Sequence, residues 1–199
     1  KGSEDLGGGL KAGFQLEQGF KSDDGTATAG FDRRAQLSLS GNFGTVVLGN
    51  TYTPYYDLRD ATDNTAGLNI GSARDTFKTA RADYTDKLPN VIAYVSPKFS
   101  GFSGAVAVSL GENKAANSDA TNHVSLHLKY ANGPLLVGYG YQSEEIKNAK
   151  STDYNLFAAS YDFGVAKLVG SYQDVEHAAG KDQDYQFGVS APVGGATVF

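Results

Sequence analysis

The sequence predicts an all-β protein, an antiparallel transmembrane β-barrel, and three observations support this prediction. Several segments alternate between apolar and polar residues, which is typical of strands with one oily and one wet face. Long polar loops alternate with short turns, so successive antiparallel strands place their loops at one rim of a barrel. The polar face carries Gly, Ser, Gln, Lys, Arg and His, whereas a small closed core would need Leu, Ile and Val.

The first predicted strands lie on either side of a polar loop at residues 21–30. Residues 2–9 are predicted as a glycine-rich turn, and residues 10–17 alternate strictly as a strand does. Residues 32–41 form the next strand, and a tight turn leads into a third at residues 45–50. These strands precede the longest connection in the chain.

The alternation resumes near residue 90. Further strands are predicted at residues 90–96, 102–110, 123–130, 135–142, 154–161, 166–172 and 185–191. Residues 173–184 are predicted as a loop, and only a stub follows the last turn at residues 192–195. The prediction is therefore about ten to eleven strands of antiparallel sheet.

Composition excludes several other classes. No stretch approaches the roughly 18 apolar residues of a transmembrane helix, whereas a spanning strand needs only about 9–11 alternating residues. The net charge of −5 and the absence of a basic run argue against a nucleic-acid partner.

The chain has no cysteine, which excludes disulfides and thiolate metal sites. It begins without Met or a leader, so we expect a processed protein or part of a longer one.

The longest connection, at about residues 51–81, is polar and charged. A structureless loop of this length inside a compact domain is uncommon and usually functional. Its acidic residues include Asp57, Asp60 and Asp63. The hypothesis is that this loop folds into the barrel and narrows a water-filled pore.

Four segments carry a resemblance to a known family: GSEDLGGGLKAGFQLE, FDRRAQLSLSGNFGTVVLG, NVIAYVSPKFSGF and YDFGVAKLVGSY. They resemble the general-diffusion porins of Gram-negative bacteria, of the β-proteobacterial type, in order and spacing. The resemblance implies a sixteen-stranded, usually trimeric outer-membrane barrel whose third loop folds inward opposite basic residues. Residues 1–199 would then be an internal portion of one barrel domain. A genuine ten-stranded barrel is the alternative.

Strand parity and the resemblance together predict the pore constriction. Because strand residues alternate between the two faces, Glu17 and Arg34 are predicted to point inward on neighbouring strands. The same alternation points Arg33 outward, but a strand end or bulge could turn it inward. The resemblance places Arg81 at a basic position that follows the constriction loop. The predicted constriction residues are Glu17, Arg33, Arg34, Asp57, Asp60, Asp63 and Arg81. Opposite charges across a narrow aqueous channel would create a transverse field that steers ions.

The resemblance implies passive diffusion of ions and small hydrophilic solutes through a homotrimer embedded in outer-membrane lipid. Its basic residues suggest a weak preference for anions, although the net negative charge and the acidic loop argue for cations. Two alternatives from other classes stay open. One is a plugged structural or adhesive outer-membrane barrel, and the other is a secreted soluble β-protein with binding loops.

Enzymatic chemistry and cofactors are not supported by the sequence. His123 and His127 share a face of one strand, but positions i and i+4 lie about 13 Å apart, too far to chelate one metal. They are predicted to be solvated residues of the lumen. No GxSxG nucleophile context occurs, and the glycine-rich segment lacks the GK[ST] ending of a phosphate loop.

Overall fold

The structure is a computed structural model that describes residues 1–63, 77, 84–116 and 119–198. The described residues contain twelve strands, which form one sheet in which each strand pairs antiparallel with the next in sequence. They are β1 (Gly2–Gly7), β2 (Leu10–Glu17), β3 (Arg34–Gly41), β4 (Gly44–Tyr52), β5 (Lys87–Val95), β6 (Phe102–Ser109), β7 (His123–Asn132), β8 (Leu135–Glu144), β9 (Thr152–Asp162), β10 (Lys167–His177), β11 (Gly180–Val193) and β12 (Ala196–Val198). A helix, α1 (Pro54–Ala61), lies between β4 and β5. The predicted all-β antiparallel fold class is confirmed, with more strands than the ten to eleven expected.

The two faces of the sheet differ as the alternation predicts. The outer face exposes large apolar side chains, including Leu37, Phe157 and Phe187, the last of which is 84% exposed. The inner face, against which α1 packs, buries polar side chains such as Gln142 and Gln173. Within the described ranges, no helix has the length and apolar character needed to cross a bilayer.

Aromatic residues form rows on the outer face. Tyr139 contacts Phe157 with ring centroids 5.0 Å apart, and Tyr172 contacts Tyr185 at the same separation. The Tyr139 hydroxyl donates to Asn155 Oδ1 at 2.7 Å, so its ring points to lipid-facing residues while its hydroxyl points to polar ones. Such amphipathic rings are typical of the boundary between hydrocarbon and headgroups.

The inner wall is less uniformly polar than the sequence predicted. One buried apolar cluster lies on β4, β5 and β6, and it consists of Val47, Leu88, Val91, Ala93 and Ala107. A second joins α1 to β9 and β10, through Tyr55, Leu58, Tyr154, Leu156 and Val175 among others. The prediction of a wet inner face was therefore wrong at these places, because a wall that packs against protein follows the rules of a core.

The predicted turn at residues 2–9 is instead a strand followed by a tight turn. β1 pairs with β2 from Gly2 opposite Phe14 to Gly7 opposite Leu10. Only Gly8 and Gly9 turn the chain, and both have positive φ, which glycine adopts readily. The polar composition of β1 gives no apolar alternation, so sequence periodicity could not detect it.

The predicted loop at residues 173–184 is also wrong. β10 and β11 continue through it in regular register, and only Ala178 and Ala179 lie between them. From Tyr172 to His177 the strand rises by about 16 Å beyond the aromatic row. Its outward residues there, such as Asp174 and Glu176, are polar, so the apolar half of the alternation is missing from the sequence.

Replacing Leu37 by arginine tests the assignment of the outer face. Leu37 is 62% exposed near the middle of β3, and a cation facing lipid there is expected to lower the free energy of unfolding by about 2–4 kcal/mol. Ser38→Arg, one residue further on the inner face, is expected to cost much less. Urea unfolding of the native protein in vesicles measures both, and equal losses would contradict the assignment.

Candidate functional site

Local sequence signals place α1 at the start of the long connection. Thr53 caps the helix, since its Oγ1 accepts a hydrogen bond from the N–H of Tyr56 at 3.2 Å. Pro54 occupies the first helical turn, where a missing N–H costs nothing. The loop predicted at residues 51–81 therefore begins as a strand end and a helix. The Thr-Pro pair was the signal that could have predicted it.

Hydrogen bonds hold the beginning of α1 against the inner wall. The N–H of Tyr55 donates to Ser125 Oγ on β7 at 3.0 Å. The Tyr55 hydroxyl donates to Gln173 Oε1 on β10 at 2.5 Å. All three side chains are buried, so each bond satisfies polar groups that would be costly to leave unpaired.

His127 on β7 belongs to the same contact. Its Nδ1 lies 2.7 Å from the carbonyl oxygen of Pro54 and donates to it, since a carbonyl can only accept. The side chain is 6% exposed, so the prediction that His127 is a solvated lumen residue was wrong: α1 covers it. Among the described residues, no cluster of His, Asp and Glu has the arrangement of a metal site.

The end of the long connection, just before β5, is hydrogen-bonded to β8. Thr85 donates from its N–H and from its hydroxyl to the Glu144 carboxylate, at 2.6 and 3.0 Å. Gln142 Nε2 donates to the Thr85 carbonyl at 2.9 Å. The N–H of Thr53 donates to the Asp86 carbonyl at 2.9 Å, which closes the two ends of the connection on each other.

The end of β2 and the start of β3 form a basic wall, in which Arg33, just before β3, and Arg34 surround Glu17. The register pairs Glu17 directly with Arg34. Arg33 Nε lies 2.6 Å from one Glu17 oxygen, and Arg34 Nε lies 3.9 Å from the other. Glu17 thus contacts both guanidinium groups, although adjacent positions such as 33 and 34 would point to opposite faces of a regular strand.

Two tilted tyrosine rings connect this basic wall to α1. The Arg34 guanidinium lies over the Tyr52 ring at 4.8 Å, and Tyr52 lies 4.3 Å from Tyr56 on α1. The Arg59 guanidinium covers the Tyr56 ring at 4.7 Å. Each cation–π contact adds about 0.5–2 kcal/mol and restricts the orientation of the arginine.

The acids of α1 and its end have different partners. Asp63 lies 3.3 Å from Arg59, and both side chains are 3% exposed, so this is a buried ion pair. Asp60 lies 3.9 Å from the same guanidinium but is 56% exposed. The structure therefore brings Asp63 to Arg59 rather than to the arginines of the basic wall, and leaves Asp60 in contact with solvent.

Asp57 lies on α1 facing the open part of the interior. Water reaches its side chain, but the surrounding protein displaces much of the bulk solvent, and this desolvation raises the pKa of the carboxyl to about 6. The positive charges of Lys129 and Arg34 oppose the shift. Among the described residues, no cation lies within ion-pair distance of Asp57.

Comparisons with known proteins fit this geometry. A family profile described as a Gram-negative porin matches residues 1–199. The chain belongs to the Gram-negative porin family. Outer membrane porin protein 32 of Delftia acidovorans is 36% identical, over 98% of this chain and 60% of the relative. An outer membrane porin protein of Bordetella pertussis is 31% identical, over 98% of this chain and 55% of the relative.

A solved structure shows the same barrel type. The anion-selective porin from Comamonas acidovorans aligns with a TM-score of 0.82 and 34% identity, over 97% of this chain and 63% of that one. The described strands therefore form part of a porin barrel, and the outer face is its lipid-facing surface. This porin chain spans 55–60% of the length of the two curated relatives.

One predicted site residue of this porin, Arg81, lies outside the described residues. Sequence reasoning did not include Lys129, Tyr52, Tyr56 and Arg59 among the site residues. Inward parity on β7 was the signal for Lys129, and the spacing of Arg59 four residues before Asp63 was the signal for their ion pair.

Asp63→Asn is expected to destabilise the docked connection strongly. It leaves the Arg59 charge buried without the nearest of its described acidic partners, a loss that typically costs about 3–5 kcal/mol. Asp60→Asn removes an exposed contact to the same guanidinium, worth about 0–1 kcal/mol. The thermal midpoint in detergent and the rate of limited proteolysis measure both variants. Equal effects would show that the pair does not hold the connection.

Proposed function

We propose that this porin forms a water-filled channel of the bacterial outer membrane, through which ions and small hydrophilic solutes diffuse passively with a weak preference for anions. The constriction lies between α1 and the basic wall. The observation that supports this most strongly is the docking of α1 on the wall of β7 to β10. It fixes the helix to one wall. In this proposal the charged side of the helix faces Arg33 and Arg34 across the aqueous path.

The charges around this path are closely balanced. Among the described residues, the cations include Arg33, Arg34, Arg59, Lys87 and Lys129, and the acids include Glu17, Asp57, Asp60, Asp63 and Asp86. Desolvation raises the pKa of Asp57 to about 6, so the balance becomes more positive as the pH falls through that value. A small positive excess in a narrow channel favours anions. Arg81 would add to this excess.

The proposal also includes the oligomeric state of this porin and its lack of catalytic activity. The barrel acts as a single domain over residues 1–199 and assembles as a homotrimer in outer-membrane lipid. It has no enzymatic activity and needs no cofactor. The Comamonas relative is described as anion-selective, which supports the direction of the proposed preference.

Planar bilayer recordings test the channel and the role of the basic wall. Arg34→Gln is expected to shift the reversal potential under a KCl gradient towards cations. One charge about 4 Å from a permeating ion contributes roughly 1 kcal/mol even in water, or about fivefold in the permeability ratio. Lys98→Gln removes one positive charge from an exposed turn and is the matched control. A folded protein without conductance would favour a plugged barrel.

The pH dependence of selectivity tests the role of Asp57. Below its pKa of about 6 the carboxyl is neutral, so anion preference is expected to be stronger at about pH 5 than at about pH 7.5. Asp57→Asn should fix the low-pH selectivity at both values. Identical pH profiles of the variant and the parent protein would contradict this role.

A further inference from the structure

The inner face of β8 carries a glycine notch, formed by Gly138 and Gly140. Leu58 of α1 sits in this notch and is 0% exposed. A Cβ atom at Gly138 would overlap Leu58 Cδ1 and lie 3.4 Å from Cδ2. A Cβ atom at Gly140 would lie 3.2 Å from Leu58 Cδ2 and 3.4 Å from Tyr55 Cδ2. A residue larger than glycine at either position would therefore contact side chains of α1.

The backbone conformation does not explain these glycines. Neither Gly138 nor Gly140 is among the residues with positive φ. Both lie in regular register between β7 and β9. Glycine inside a strand weakens it, because it costs backbone entropy and offers no side chain for packing. Close approach by another part of the protein is the usual reason for such a glycine, and here Leu58 makes that approach.

We propose that the glycine notch sets how deeply α1 sits against the wall, and thereby the width of the aqueous path between α1 and the basic wall. This inference rests on the proposed channel function. Gly138 and Gly140 are positioning residues in this account, since they touch the helix and not the solute.

The contacts around Leu58 make the helix position sensitive to the notch. Leu58 is packed in the cluster with Tyr154, Leu156 and Val175, and its side chain is surrounded by protein on the wall side of the helix. Close-packed interiors transmit added volume as displacement of their neighbours. The free direction is towards the lumen, where Asp57 is exposed on the same helix. Added atoms in the notch would therefore push α1 into the channel.

A graded substitution series at Gly138 in the native protein tests this proposal. Gly138→Ala and Gly138→Val should lower single-channel conductance progressively and reduce the largest neutral polymer that enters the pore. Gly170→Ala is the matched control, since its added Cβ on β10 would lie no closer than 3.6 Å to Phe187. It should conduct like the parent protein. Thermal midpoints in detergent identify any variant that fails to fold.

The Gly138→Ala/Leu58→Ala double variant separates the notch from general strain. Removing the Leu58 side chain gives the new methyl group its space, so conductance should return to the parent value. A conductance loss that Leu58→Ala does not reverse would place the strain at the Leu128 carbonyl, 3.1 Å from the added Cβ, and would overturn the proposal. Unchanged conductance in folded Gly138→Ala and Gly138→Val would also overturn it. A parent protein that does not conduct would refute the channel function itself.

Discussion

The packing of α1 against the inner wall of β7 to β10 is the interaction on which the site depends. Leu58 fills the glycine notch, while Tyr55 and His127 satisfy buried polar groups on both sides of the contact. The wall beneath the helix is accordingly apolar or hydrogen-bonded, as a protein core is. The charges of Arg33, Arg34 and Glu17 lie on another wall. The proposed channel would thus divide the interior into a packed half and an aqueous half.

This division determines the electrostatics. Arg59 and Asp63 are buried as a pair and contribute little net charge to the aqueous half. Glu17 holds Arg33 and Arg34 together. The adjoining Tyr52 and Tyr56 rings restrain the guanidinium groups of Arg34 and Arg59, respectively. Fixed charges around a confined aqueous path act on ions without any reorganisation of the protein.

Much of this arrangement could be predicted from the sequence, and the failures have physical causes. Lipid contact imposes apolar alternation, so β2 and β7 were predictable. β1 and the end of β10 beyond Tyr172 carry no apolar alternation and could not be recognised by the same signal. Parity placed Glu17 and Arg34 inward, but it could not show that His127 is covered, because burial by α1 depends on a tertiary contact. The pairing of Asp63 with Arg59 is local, and their four-residue spacing was a signal that the sequence did carry.

Thiol accessibility tests the division of the interior most directly, because the chain has no native cysteine. Ser38→Cys would place a thiol on the inner face of β3, and Ser125→Cys would place one behind α1, where the serine is 1% exposed. A membrane-impermeant thiol reagent should react rapidly at position 38 and reduce conductance, and should react slowly at position 125. Equal reaction rates at the two positions would contradict the account.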